Sequence, residues 1–238
     1  MTGHPEGADR LARVRAWVAE KAGNPRSPVS VRTLCETAAS RLRVSGATVT
    51  VGTTRGWPET RCSIDMLGER LAELHVTVGE GPCADSWQTG GPVLVADLDT
   101  PAGQRRWPLF APLAVDAGAR ALFALPLCVG AIRCGMLALH RVDAGPLGSA
   151  AVHDALAFAR IALGLLLDEQ AGPVDSLELH NPQLHQATGM VSAQLEVGVE
   201  EAFTRLRARA FAARQPLAEL AADVVARRVR FDPAEEAT

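Results

Sequence analysis

The chemistry-bearing side chains of this sequence concentrate near its C-terminal end, and they are arginines. Arg205 and Arg209 stand four apart, which puts them on one face of a helix. Arg207 and Arg214 flank them, and Arg227, Arg228 and Arg230 follow the next apolar stretch. Guanidinium groups at helix ends can form an edge that binds phosphates. A local explanation stands beside that one: acids precede arginines along each of the last two helical stretches, the order that suits the helix dipole. Between Leu177 and Arg230 seven arginines face six acids, so the segment is not a polycation and both explanations stay open.

Other candidate chemistry is sparser. In GEGPCADSW, Pro82 suits the first position of a helix, where its missing N–H costs nothing. Backbone N–H groups there could hold an anion and lower the pKa of the Cys83 thiol. The reading we prefer is a tight turn with a small buried cysteine. The five cysteines form no C-x-x-C pair, and the histidines have no metal-ligand spacing. His75, His140 and His153 meet only if the fold brings them together. No Ser/His/Asp set, paired carboxylates or phosphate-cradling glycine loop stands out. We therefore expect no catalytic site, no metal and no cofactor.

Composition and pattern indicate the scaffold that carries these groups. The chain has 238 residues, 47% hydrophobic and 21% charged, with a net charge of −3. That supports a packed core and argues against a whole-surface grip on nucleic acid. Arginine excess alone carries little weight, because Lys21 is the only lysine and the bias looks compositional. No apolar run reads as a membrane span, and MTGHPEGADR lacks a signal-peptide layout, so the expected location is cytoplasmic with no membrane partner.

Helical spacing marks Arg10 to Ala22, and Ser30 is placed to cap a second helix with Val31, Leu34, Cys35, Ala38 and Leu42 on one stripe. Ala47 to Val51 and Arg61 to Leu67 read as strands, as do Val93 to Val95, Ala121 to Val129 and Cys134 to Arg141, the last two joined by a hairpin turn near Gly130. A short helix is expected over Phe110 to Ala117 and a long one over Ser149 to Glu169. Direct strand-to-strand succession points to an α+β domain, an antiparallel sheet with helices gathered on one face. Beyond AGPVDS, Ala171 to Ser176, strand signals stop. Three helices follow: Leu184 to Leu195, Glu200 to Ala213, and one opened by Pro216. The resulting division is an extension over 1–28, a domain over 29–170, a linker over 171–176, a bundle over 177–231 and a tail over 232–238.

The bundle resembles the ANTAR domain, an RNA-binding three-helix module of bacterial antiterminators. QATGMV (Gln186 to Val191), EEAFTRLRARA (Glu200 to Ala210) and LAELAADVV (Leu217 to Val225) carry the resemblance, in the right order and spacing. Thr188 stands where that family usually has lysine. The preceding domain resembles a GAF domain of the type fused to ANTAR in actinobacterial proteins, through VGEGPCADSWQTGGPVLVADL (Val78 to Leu98), RRWPLFAPLAVDAGARALFALPL (Arg105 to Leu127) and CGMLALHR (Cys134 to Arg141).

The resemblance implies a regulator rather than an enzyme: the GAF domain senses a signal or mediates dimerisation, and the ANTAR bundle binds stem-loops in nascent RNA to prevent termination. The alternative is a ligand-binding or dimerisation module whose bundle no longer binds RNA. GAF-type reduction of free methionine sulfoxide needs cooperating cysteines, and their spacing gives it little support. The RNA-contacting residues it implies are His185, Thr188, Gly189, Arg205, Arg209, Arg214, Arg227 and Arg228. With no tyrosine in the chain, His185 and the arginine planes must supply any stacking on bases. Gly189 sits mid-helix and admits either an RNA surface or the neighbouring helix at close range. A mostly apolar pocket is expected from Gly81, Cys83, Val93, Leu122, Leu125 and Met136, for a small apolar or aromatic ligand. The long helix offers Ala155, Leu156, Leu163 and Leu166 as a homodimer seam, unless that stripe covers the sheet.

Overall fold

The computed structural model of the chain describes residues 5–23, 29–52, 59–130, 132–170, 182–213 and 215–232. The linker expected at 171–176 and Arg214 lie outside the described residues. Helices α1 (Pro5–Ala22) and α2 (Val31–Leu42) open the chain. Ser30 caps α2, its hydroxyl accepting the Thr33 N–H at 3.1 Å, and the apolar stripe read from the sequence is the face that α2 buries. Strands β1 (Gly46–Val51) and β2 (Glu59–Ser63) follow.

A helix that the strand assignment over Arg61 to Leu67 did not foresee comes next, α3 (Met66–Val78). Met66 and Leu67 belong to it rather than to a strand, because the Asp65 carboxylate accepts the Gly68 N–H at 2.7 Å and starts the helix there. Then come α4 (Pro82–Thr89), β3 (Val93–Val95), α5 (Pro101–Arg106), α6 (Phe110–Asp116), β4 (Ala121–Val129), β5 (Ile132–Arg141) and α7 (Ser149–Gln170). α5 is likewise absent from the sequence expectation. Three helices close the chain: α8 (Pro182–Leu195), α9 (Val199–Ala212) and α10 (Leu217–Val225).

The strands form one antiparallel sheet in the order β2-β1-β5-β4-β3. Helices cover both of its faces, not one. α1, α2 and α7 pack on the side of Phe123, Leu125 and Leu127. α3, α4 and α6 cover the side of Leu122, Ala124 and Met136. The sign of this was in β4, whose nearly unbroken apolar run suits a strand buried on both faces. Val14 and Val18 of α1 belong to the first of these cores, so the segment assigned to an extension is part of the domain. Arg10 and Arg13 tie α1 to Asp154 of α7 at 3.0 and 2.7 Å.

By length and composition α7 qualifies as a membrane span over Ser149–Asp168, mean hydropathy 1.6, against the sequence expectation. Here it packs on α1, α2 and the sheet. Ala155 and Leu166 of the expected dimer seam are buried in that packing, while Leu156 and Leu163 are only half-buried.

Helices α8, α9 and α10 enclose a third core of Ala187, Val191, Phe203, Leu206, Leu220 and Val224. Phe231, beyond α10, folds back into it, its N–H held by Gln194 Oε1 at 2.9 Å. This bundle sits on α3. Val76 of α3 packs into the bundle core, and the Glu73 carboxylate accepts the Leu217 N–H at 3.0 Å, capping α10 from the sheet domain.

Candidate nucleic-acid interface and sensor cavity

The basic face begins on α9, which carries Glu200 and Glu201 in its first turn and Arg209 in its last. Arg205 Nε donates to Glu201 Oε1 at 2.8 Å, one turn back. Arg209 Nη1 donates to the Arg230 carbonyl at 3.0 Å, and its guanidinium lies 4.8 Å from the Phe231 ring centroid. The fold thus joins the end of α9 to the turn after α10, where Arg227, Arg228 and Arg230 are exposed. Arg228 pairs with Asp223 at 2.7 Å. Hydrogen bonds from Gln215 and then Arg228 hold the Asp223 carboxyl below the usual carboxylate range. Arg227 takes left-handed backbone, φ 59°, where α10 ends.

Two of the expected contact residues, Thr188 and His185, are spent within the chain, and a third, Gly189, is open. Thr188 is buried, 4% exposed, and its hydroxyl donates to the Leu184 carbonyl at 2.7 Å, so it offers no surface to a partner. His185 is paired with Glu59 of β2 and ties α8 to the edge of the sheet. Gly189 is exposed, and a Cβ built on it meets nothing within 4 Å. Close packing on the neighbouring helix is therefore not what admits glycine there. Thr188→Lys is expected to lower the thermal midpoint of the bundle rather than add a binding group, because an ammonium cannot occupy this seat without leaving the packed side of the helix. A raised midpoint on calorimetry would contradict that.

Arg207 points the other way. On α9 it lies two residues from Arg205, across the helix, and its Nε donates to the Thr77 carbonyl of α3 at 3.0 Å. Burial lowers its pKa from the ordinary value. Its guanidinium occupies the space over Gly79, where a Cβ would stand 1.9 Å from Nη2; Gly79 has φ +73°, as the left-handed cap of α3 requires.

Two adjoining cavities lie between the sheet and α3. The inner one, about 40 Å³, is bounded by Thr48, Thr60, Leu71, Leu122 and His140 among others. The outer one, about 180 Å³, is bounded by Trp87, Met136, Gly79 and Arg207. Thr50, His75, Val76 and Cys83 line both. Of the expected pocket residues, Cys83, Leu122 and Met136 are here. Leu125 is not: it is three positions from Leu122 on a strand, hence on the opposite face, in the core with α1, α2 and α7. Val93 packs against the α3 side without lining either cavity, and Gly81 sits behind His75. Threonines and two histidines stand among the apolar side chains of the walls.

His75 and His140 do converge, both lining the inner cavity, while His153 is exposed on α7. His75 Nδ1 donates to the Leu71 carbonyl at 2.8 Å and Nε2 accepts the Cys83 N–H at 3.2 Å, which assigns a neutral ring. Burial lowers the His75 pKa to about 4. The Cys83 N–H at the start of α4 is thus spent on His75. Burial also pushes the Cys83 thiol up to about 12, the behaviour of a buried cysteine and not of a reactive one. Glu80 in the same loop accepts the Leu109 and Phe110 N–H groups at 2.6 and 2.9 Å, capping α6. Among the described residues no group of three or more His, Cys, Asp or Glu is placed to hold a metal ion.

Fold and site together define a two-part chain, an antiparallel-sheet domain covered by helices on both faces and a three-helix bundle docked on its α3. Residues 180–225 match the family model described as ANTAR domain. The sheet domain is similar in fold to the GAF domain of a phosphoenolpyruvate-protein phosphotransferase from Acinetobacter, at 14% identity and TM-score 0.51, covering 72% of this chain and 99% of that one. The corresponding domain of the Coxiella burnetii enzyme aligns at 12% identity and TM-score 0.47, covering 69% and 96%. A comparison with curated proteins found no match.

Proposed function

We propose that this chain is a non-catalytic, cytoplasmic regulator in which the ANTAR bundle binds stem-loops in nascent RNA and prevents transcription termination, while the GAF domain receives a signal or serves as a dimer platform. The match of residues 180–225 to the ANTAR domain carries this reading. The joining of Arg209 to the exposed turn of Arg227, Arg228 and Arg230 supports it, because a phosphate backbone needs several cations on one edge. A homodimer through the outer side of α7, at Leu156, Leu163 and the exposed Leu167, belongs to the same reading.

The test is to recover and sequence the RNAs crosslinked to the protein in its own cell, and then to titrate a recovered stem-loop in a salt series. Arg205→Ala with Arg209→Ala is expected to weaken binding across sequences and to flatten the salt slope by about 0.7 to 0.9 units for each phosphate that is no longer neutralised. Arg209→Ala also removes a hydrogen bond and a cation–ring interaction, so circular dichroism must accompany the titration. A folded double variant that binds as tightly as wild type sinks the arginine edge. It would favour the second reading, the bundle as a docking module. That reading is supported by the intrachain partners that Arg205, Arg209 and Arg228 already have.

A further inference from the structure

The outer cavity has a wall that the sheet domain does not supply. Among the described residues lining it, Arg207 is the one that carries a charge, and it comes from α9 of the bundle. The His75 ring spends both nitrogens on Leu71 and Cys83, so it has neither proton nor lone pair left for a guest. Val76, Trp87 and Met136 offer apolar surface beside it. We propose that this space is a binding site for a small, largely apolar carboxylic acid, its carboxylate held by Arg207, so that the two domains share the ligand and it fastens the bundle onto α3.

Size and charge set the ligand class. At about 180 Å³ the cavity is well below the roughly 300–1,000 Å³ of sites for drug-sized ligands, which suits a guest smaller than a nucleotide. One guanidinium matches one carboxylate in charge. A phosphate brings a larger charge and more acceptor oxygens than this wall has donors to meet. Partial removal of Arg207 from water strengthens such a pair. The acid would also be coupled to docking, because it binds only where α9 and α3 are together.

The proposal rests on the GAF domain being the signal-receiving part, and its test separates the two ideas. The full chain is titrated calorimetrically with butyrate and benzoate, with butyramide and benzamide, and with inorganic phosphate. The acids are expected to bind, with the amides and phosphate weaker by about tenfold or more. Arg207→Gln should reduce the acids to the level of the amides, and Arg207→Lys, which keeps the charge, should retain part of the affinity. Gly79→Ala, which leaves Arg207 in the chain but fills its seat, should give the same loss as Arg207→Gln, so the result does not hang on one variant. Hydrogen exchange in α9 should slow when acid is added to wild type. Equal binding of acids and amides, no binding of either acid, or unchanged acid affinity in Arg207→Gln overturns the site. RNA binding is scored separately without acid: its failure with acid binding intact overturns the RNA reading alone, and the converse overturns the acid site alone.

Discussion

Phe203→Ala is expected to unfold the bundle while leaving the sheet domain folded. Phe203 is wholly buried at the centre of the third core, between Ala187 and Val191 of α8 and Leu220 and Val224 of α10. Truncating a buried phenylalanine costs about 3–5 kcal/mol, from the forfeited transfer energy and the cavity left behind. A unit of three short helices has a net stability of only a few kcal/mol, so the loss is comparable to the whole. Arg207 also lies over this ring at 5.8 Å, so the docking on α3 should loosen too. Native-state hydrogen exchange is the measurement: amides of α8, α9 and α10 should lose protection while those of β4 and β5 keep it, and RNA binding should vanish. Unchanged protection in α9 would mean that the bundle does not depend on this core.

The second large effect is a loss of stability in mild acid. An unfolded chain protonates His75 near the ordinary 6.5, whereas the folded chain holds it neutral down to about 4, first because burial disfavours the charged ring. Between those values the unfolded state binds the extra proton, so the contribution is complete above pH 6.5 and is lost as pH falls towards 4. The full span corresponds to about 3 kcal/mol, and partial access of water to the ring reduces it. His140 is shifted in the same direction by burial, opposed by Asp65 at 3.2 Å, and adds to the slope. Urea midpoints measured across this range should fall with pH. His75→Leu should flatten the dependence, and a variant that keeps the wild-type slope would place its origin elsewhere.

Much of this architecture was legible in the sequence because it is written in local periodicity and capping. The buried stripe of α2, its Ser30 cap, strands β3 and β4 and the order of the three bundle helices all follow from spacing within a dozen residues or so. Helix α3 had its signal as well: Asp65 stands at the cap, and Leu67, Leu71, Leu74 and Val78 keep helical spacing. Ile64 and Met66, next to a true strand, hid it. Strand parity alone separates Leu125 from Leu122. What no local pattern contains is which surfaces meet. Helical spacing already turns Arg207 away from Arg205 and Arg209, but that docking of α9 on α3 takes Arg207 to the Thr77 carbonyl and the outer cavity is written in neither segment. Docking likewise pairs His185 with Glu59, 126 positions away in the chain. The elements and the faces they bury follow from the residues alone, because those are set by propensity and by apolar area within each segment. Which cations stay at the surface and which are spent between domains was set by the tertiary fold, because that depends on contacts between segments whose affinity for one another leaves no periodic trace in either.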